Sequence, residues 1–236
     1  MQAVIQNARQ SFTAHDVENM LQTFLKAFDN STFPVRRAVS SLCAALLAFT
    51  QTTATVDPNK PNVKHATTGE DSTTPATDVQ PNMTTLMSVD EMLGLLATNY
   101  NRANVSREFK IGIIETYATL FVLLGTEFVE ANYAVIAKHV LRELLDGTKH
   151  ILVAADGAFA RAQVFFLLHN TIGKRLLSEQ GQAMAVKLLV SEFVKSWPPL
   201  MKNQAPPNKH ALICATDLIA ALICELGGGA NAVKVN

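Results

Sequence analysis

His139 and Glu143 stand one helical turn apart, a spacing that suits an exposed pair far better than a metal or catalytic role. The other histidines are His15, His65, His150, His169 and His210, and none joins an HExxH or any other metal-ligand spacing. His169 follows the apolar run Phe165 to Leu168, which suits a packed ring better than a ligand. Glu115 and Asp217 interrupt apolar helical stretches, where an acid either does chemistry with a shifted pKa or faces a neighbouring Arg, Lys or the solvent edge; the second reading is favoured. Ser and Thr are plentiful, but no GxSxG places one as a nucleophile. There is no GxGxxG and no GKS or GKT, and Gly227 to Gly229 follow a helix instead of opening one, so they form no phosphate cradle. Cys43, Cys214 and Cys224 sit in apolar helical patterns without a CxxC and read as buried, reduced thiols; the last two are too far apart along one helix to pair. The residues thus assign no catalytic, cofactor-binding or metal site, and no binding residue.

What remains is a row of cations. Arg36, with Arg37 beside it, Lys110, Arg161 and a position near Lys209 recur at one place in the helical pattern, at intervals of 74, 51 and about 48 residues. Each stands at the entry of a helix that follows a polar turn. Removing an insertion of about 30 residues from the first interval brings it near the ~40–47-residue period of HEAT and armadillo repeats. Turn stabilisation explains such a row more simply than an anion site does. Trp197, ahead of Pro198-Pro199, reads as a helix-end anchor.

The elements that carry this row are helices in pairs. The first spans about Asp16 to Phe28, with Asp16 as N-cap and Val17, Leu21, Phe24 and Phe28 as its stripe. A polar turn leads to Val35 to Phe49, with Pro34 in the first turn and a stripe of Val35, Val39, Leu42, Leu46 and Phe49. Residues 52–84 are rich in Thr, Pro, Asn and Asp and almost empty of large apolar groups, which predicts a disordered insertion. Ser88 to Glu91 is a capping box that opens a helix to Tyr100. The turn 101–106 leads to Phe109 to Leu124, apolar on two faces, ended by Gly125; Gly112 within it suggests a close helix crossing. Val129 to Leu145 and 157–177 form a third pair. Glu179 to Trp197, stopped by Pro198-Pro199, and Lys209 to Leu226 form a fourth.

The expected fold is therefore all-α: a HEAT-repeat solenoid of about four helix pairs. Residues 1–51 would hold the first pair, 52–84 the insertion and 85–236 the pairs that continue the solenoid. Composition agrees, with 48% apolar and 17% charged residues. Twenty basic and twenty acidic residues cancel, so no global field draws the chain to nucleic acid or anionic lipid. The opening residues do not read as a signal peptide, and the uncharged run Ala38 to Val56 turns polar after Phe49, which argues against a membrane span.

The order of segments goes beyond a generic array. LKAFDNSTFPVRRAVSSLCAALL (25–47), NVKHAT (62–67), SVDEMLGLLATNY (88–100) and SREFKIGIIETYATLFVLLG (106–125) occur in sequence, followed by VIAKHVLREL (135–144) and CATDLIAALICELG (214–227). Together they resemble the N-terminal region of the large HEAT-repeat accessory proteins of the type-1 clathrin adaptor, the Laa family and the HEAT-repeat-containing protein 5 family. The Thr-rich segment after residue 67 departs from that pattern. The resemblance implies a fragment of a very long, non-catalytic scaffold, cytoplasmic and peripheral at the trans-Golgi network, endosomes and clathrin-coated vesicles. Its implied partners are the type-1 adaptor and its accessory subunits, with any homo-oligomer formed through other regions. In HEAT repeats generally, a turn Asp and a helix-entry Arg form a ladder between neighbours, and Asp29 and Arg36 match it here. The competing readings are a tubulin-binding array of the TOG type and a helical enzyme. The turns Asn-Ser-Thr-Phe, Asn-Arg-Ala-Asn and Asp-Gly-Ala-Phe lack the basic and aromatic row that tubulin binding wants.

Overall fold

The structure is a computed structural model that describes residues 12–51, 85–145, 154–202 and 209–227. Among these residues it is all-α, with no strand. The expected insertion, 52–84, lies outside the described residues. So do the turn Asp146-Gly147 and the glycines Gly228 and Gly229.

Helix α1, Ala14–Lys26, begins two residues before the expected start. Its N-cap is Thr13, whose hydroxyl accepts from the Asp16 N–H at 3.2 Å, while the Asp16 carboxylate accepts from the Thr13 N–H at 2.9 Å. Asp16 is thus the third helical residue of a capping box, a role that an acid fills as well as a cap. Val17, Leu21, Leu25 and Phe28 are buried. Helix α2, Phe33–Gln51, takes Pro34 into its first turn, as expected.

The buried face of α2 is only partly the expected one: Val39 and Leu46 of the expected stripe pack on the edge of the core and Phe49 is half-buried. Arg36, Ser40, Cys43, Ala44, Leu47 and Thr50 face inward, while Val35 and Leu42 are exposed. The small side chains allow a closer approach: the Ser40 hydroxyl donates to the Gly112 carbonyl of the next long helix at 3.0 Å. A Val or Leu at the contact would hold the two backbones apart.

Helix α3, Val89–Tyr100, opens on the Ser88–Glu91 capping box that its sequence announces. Helix α4, Arg107–Leu145, is broken at Gly125 into two arms, 107–124 and 126–145. Gly125 has φ 81° and ψ −178°, a conformation open to glycine and costly for any residue with a Cβ. The expected helix end at Gly125 is correct. Gly112 also meets expectation, for a Cβ added there would collide with the buried Phe28 ring.

Helix α5, Ala154–Phe165, runs directly into a π-helix, Phe166–Gly173, which no sequence signal foretold. Its widened turns close with the Lys174 N–H on the His169 carbonyl. Helix α6, Glu179–Lys202, passes through Pro198-Pro199, which were expected to stop it. The helix runs five residues past the expected end at Trp197, a little over one turn, and the two prolines have no N–H to give to the carbonyls four residues earlier. Helix α7 is Lys209–Gly227.

One apolar core threads all of these elements. Two positions show how neighbours register. Asn30 and Asn104 both adopt left-handed backbone, φ 56° and 59°, each six residues before a basic helix-entry residue, Arg36 and Lys110. Their turns touch: the Ser106 hydroxyl donates to the Asp29 carboxylate at 2.6 Å. Two helices, Phe33–Gln51 and Arg107–Arg142, are long and apolar enough to cross a membrane by length and composition. The second is broken at Gly125, and the two pack on each other through Ser40, Arg36 and Glu115.

Candidate binding surface

The residues that could do chemistry are dispersed. Among the described residues no group of three His, Cys, Asp or Glu could hold a metal ion. His139 is half-buried, and its pKa is lowered first by burial and then by Arg142, against an opposing pull from Asp90. The side chain of Glu143, its expected companion, lies outside the described residues, as do His65, His150 and the side chains of His210 and Trp197. His169 stacks on Phe165 at 4.9 Å between ring centroids, the packed ring that its apolar setting suggested. Cys43 and Cys214 are buried, and burial pushes both thiols up to about 12. Cys224 is exposed, contrary to expectation. Cys214, Leu218 and Leu222 face inward at four-residue steps, and Cys224, two residues past Leu222, points the other way round the helix.

Glu115 is the acid of most consequence. It faces Arg36 across the α2–α4 contact, with Arg36 Nε 4.0 Å from its Oε2, and Ser40 donates to it at 3.4 Å. Burial raises its pKa; Arg36, the Ser40 hydroxyl and Arg37 pull it back down. A partner for a buried cation is its evident role. Arg36 also donates to the Ser31 carbonyl at 3.3 Å. The expected Asp29–Arg36 ladder is therefore divided: Asp29 reaches the next turn through Ser106, and Arg36 reaches the next helix through Glu115. Asp217 is exposed on α7.

The row of cations splits in the same way. Arg36 turns inward. Lys110 lies over the Tyr100 ring, 5.5 Å from its centroid. Arg161 is half-buried, its carbonyl within 3.8 Å of the Cys214 Sγ. Arg37, the outward neighbour of Arg36, is exposed on a groove between α2, the first arm of α4 and the π-helix. That groove is also lined by Ala118, Thr119, Val122, Phe166, Asn170, Thr171 and Arg175. A second groove, lined by Arg161, Ala162, Phe165, Asp217 and Ala220, shares Phe166 and Asn170 with the first.

The π-helix makes this shared ridge. It buries Leu167, Leu168, Thr171 and Ile172 and leaves Phe166 and Asn170 outside. Gly173 lets it lie tightly against Leu222 of α7. Wide turns of this kind are rare and occur often at functional sites. Arg37 belonged to the cation row from the start; Phe166, Asn170 and Arg175 did not, because only the packing of distant helices brings them together.

Glu130 in the second arm of α4 accepts from the Ser178 N–H at 2.6 Å, and the Ser178 hydroxyl caps α6 by accepting from Gly181 N–H at 3.1 Å. Glu130 is therefore structural. No family model and no solved structure matches the chain.

Proposed function

We propose that this chain is a HEAT-repeat-type solenoid of about four helix pairs that holds protein partners and performs no reaction. The observation that carries the reading is the repeated turn: left-handed Asn, then six residues on a basic helix entry, at Asn30/Arg36 and again at Asn104/Lys110. The contacts between elements support it. Second helices touch in order, α2 with the first arm of α4 at Ser40–Gly112, that arm with α5 at Arg107–Phe159, and α5 with α7 at Arg161–Cys214. First helices do likewise, the α3 turn with the second arm at Asn101–His139 and that arm with α6 at Glu130–Ser178. Contacts of this order are what a solenoid calls for, since its units bury their apolar faces against their neighbours and so offer extended binding surfaces.

The partner assignment rests on the colinear resemblance of the segments 25–47, 88–100, 106–125 and 214–227 to the adaptor-accessory scaffolds. On that basis the chain serves with the type-1 clathrin adaptor and its accessory subunits, peripheral to trans-Golgi network and endosomal membranes. The test is affinity capture with the whole chain as bait, scored for adaptor subunits and for tubulin. Recovery of adaptor subunits supports the assignment. Recovery of tubulin without them replaces it with the TOG-type reading.

A further inference from the structure

The groove between α2, the first arm of α4 and the π-helix has a volume of about 490 Å³. Two arginines line it, Arg37 and Arg175, both exposed, and no carboxylate does. Among the described residues neither guanidinium has an ion-pair partner. Glu115, which Arg37 influences from a distance, is committed to Arg36 and Ser40. Between these cations the groove presents Val122 and Phe166, 60% and 44% exposed, and the side-chain amide of Asn170.

We propose that this groove docks a short extended segment of a partner protein in which acidic side chains flank an apolar one. Each lining group has a use in that complex. Guanidinia bind carboxylates through paired, charge-assisted hydrogen bonds. Val122 and Phe166 bury the apolar side chain. Asn170 has one acceptor and donors to spare, the complement of an extended peptide backbone. A free phosphate would use the arginines and leave the apolar pair exposed. A membrane surface would use the apolar pair and the arginines but leave the Asn170 amide without a peptide backbone to bond, and the vesicle arm of the test below separates the two. A nucleic acid would track a continued basic stripe, but the adjoining groove sets the acid Asp217 against its one cation, Arg161. The proposal deepens the scaffold reading and rests on it, by naming the chemistry of a partner.

The test is fluorescence anisotropy of the whole chain with a labelled synthetic peptide in which glutamates flank Leu-Phe, and with the same peptide carrying Lys for each Glu. The acidic peptide should bind saturably and the basic one should not. Arg37→Glu combined with Arg175→Glu should weaken the acidic peptide about tenfold or more and give the basic peptide measurable binding. Phe166→Ala should weaken the acidic peptide by a similar factor. Arg142→Glu, exposed on another helix face, should change nothing. Equal melting curves establish that the variants remain folded. Absent binding of the acidic peptide, equal binding of both peptides, or undiminished binding to the doubly reversed variant would overturn the proposal. So would binding of phosphatidylserine vesicles, but not peptide, that is lost on charge reversal; that result would make the groove a lipid site. The scaffold reading is judged by adaptor recovery and this one by peptide binding, so either can fail alone.

Discussion

Gly112 lies against the ring of Phe28 with no room for a methyl group between them. Phe28 cannot easily yield, because it is wholly buried and stands edge-on to Phe109 with 5.9 Å between ring centroids. The α4 backbone is held close enough for the Gly112 carbonyl to accept from both Ser40, at 3.0 Å, and Thr116, at 2.8 Å. Replacing glycine by alanine inside a helix ordinarily gains about 1 kcal/mol, while overpacking a core costs about 1–3 kcal/mol. Gly112→Ala should therefore destabilise, by up to about 2 kcal/mol. Gly94→Ala, in α3 with nothing within 4 Å of the added carbon, should stabilise by about 0.5–1 kcal/mol. Urea denaturation of the two variants should give opposite signs; a stabilised Gly112→Ala would contradict the close crossing.

Leu120 and Leu123 lie three residues apart on α4, and only the first is buried; Leu123 is 53% exposed. Leu120→Asp places an unpaired charge in the core and should cost more than about 4 kcal/mol, with loss of soluble protein. Leu123→Asp should stay within about 0.5 kcal/mol of the parent. Expression and thermal melting of the pair check this, and equal tolerance of the two would show the arm turned about its axis.

Two carboxyls should tilt the pH dependence of stability in opposite directions. Burial raises Glu115 above its ordinary 4.5, so folding favours its neutral form. Its contribution is present below that value and is lost as pH rises through the folded pKa. Glu91 is held below 4.5 by the Ser88 N–H and then the Ser88 hydroxyl, so its contribution is present above 4.5 and lost as pH falls through the folded pKa. As pH is lowered from about 7 to about 4, the melting temperature of the parent should rise relative to Glu115→Gln and fall relative to Glu91→Gln. Slopes of the same sign would show that burial does not govern Glu115.

The segment 52–84 should be replaceable. Its flanks are bonded to each other, the Leu86 N–H to the Thr50 carbonyl at 3.1 Å and the Gln51 side-chain amide to the Met87 carbonyl at 3.1 Å. A short linker can therefore close the gap, and closure entropy changes by only about 0.6 kcal/mol per doubling of length. A Gly/Ser replacement should leave stability within about 1 kcal/mol, read by chemical denaturation. A larger loss would show that the segment packs on the helices.

Much of this arrangement was legible locally. The Ser88 cap, the Gly125 break and the Gly112 crossing each follow from what one residue can or cannot do with its own backbone. The buried face of α2 was not legible that way. Val35 and Leu42 of its apolar stripe point outward and Val39 and Leu46 reach only the edge of the core, because the neighbouring helix sets burial and favours the small Ser40, Cys43 and Ala44 that admit it. The sequence marks Arg36 as a turn brace, and it bonds the Ser31 carbonyl in that turn while its pairing with Glu115 carries the brace on to the next helix. The groove around Phe166 was invisible, since the π-helix is a hydrogen-bonding pattern that no residue type marks, and its lining comes from three separated stretches of chain.

The proposed function has the folded chain bind the type-1 clathrin adaptor as a scaffold. Sedimentation velocity of the purified chain mixed with purified type-1 adaptor complex tests it most directly, with circular dichroism to establish that the chain is helical under the same conditions. A faster-sedimenting species containing both components is expected. Separate sedimentation of a fully folded chain and intact adaptor, at concentrations of about 10 μM where even a modest scaffold contact would be populated, would contradict it.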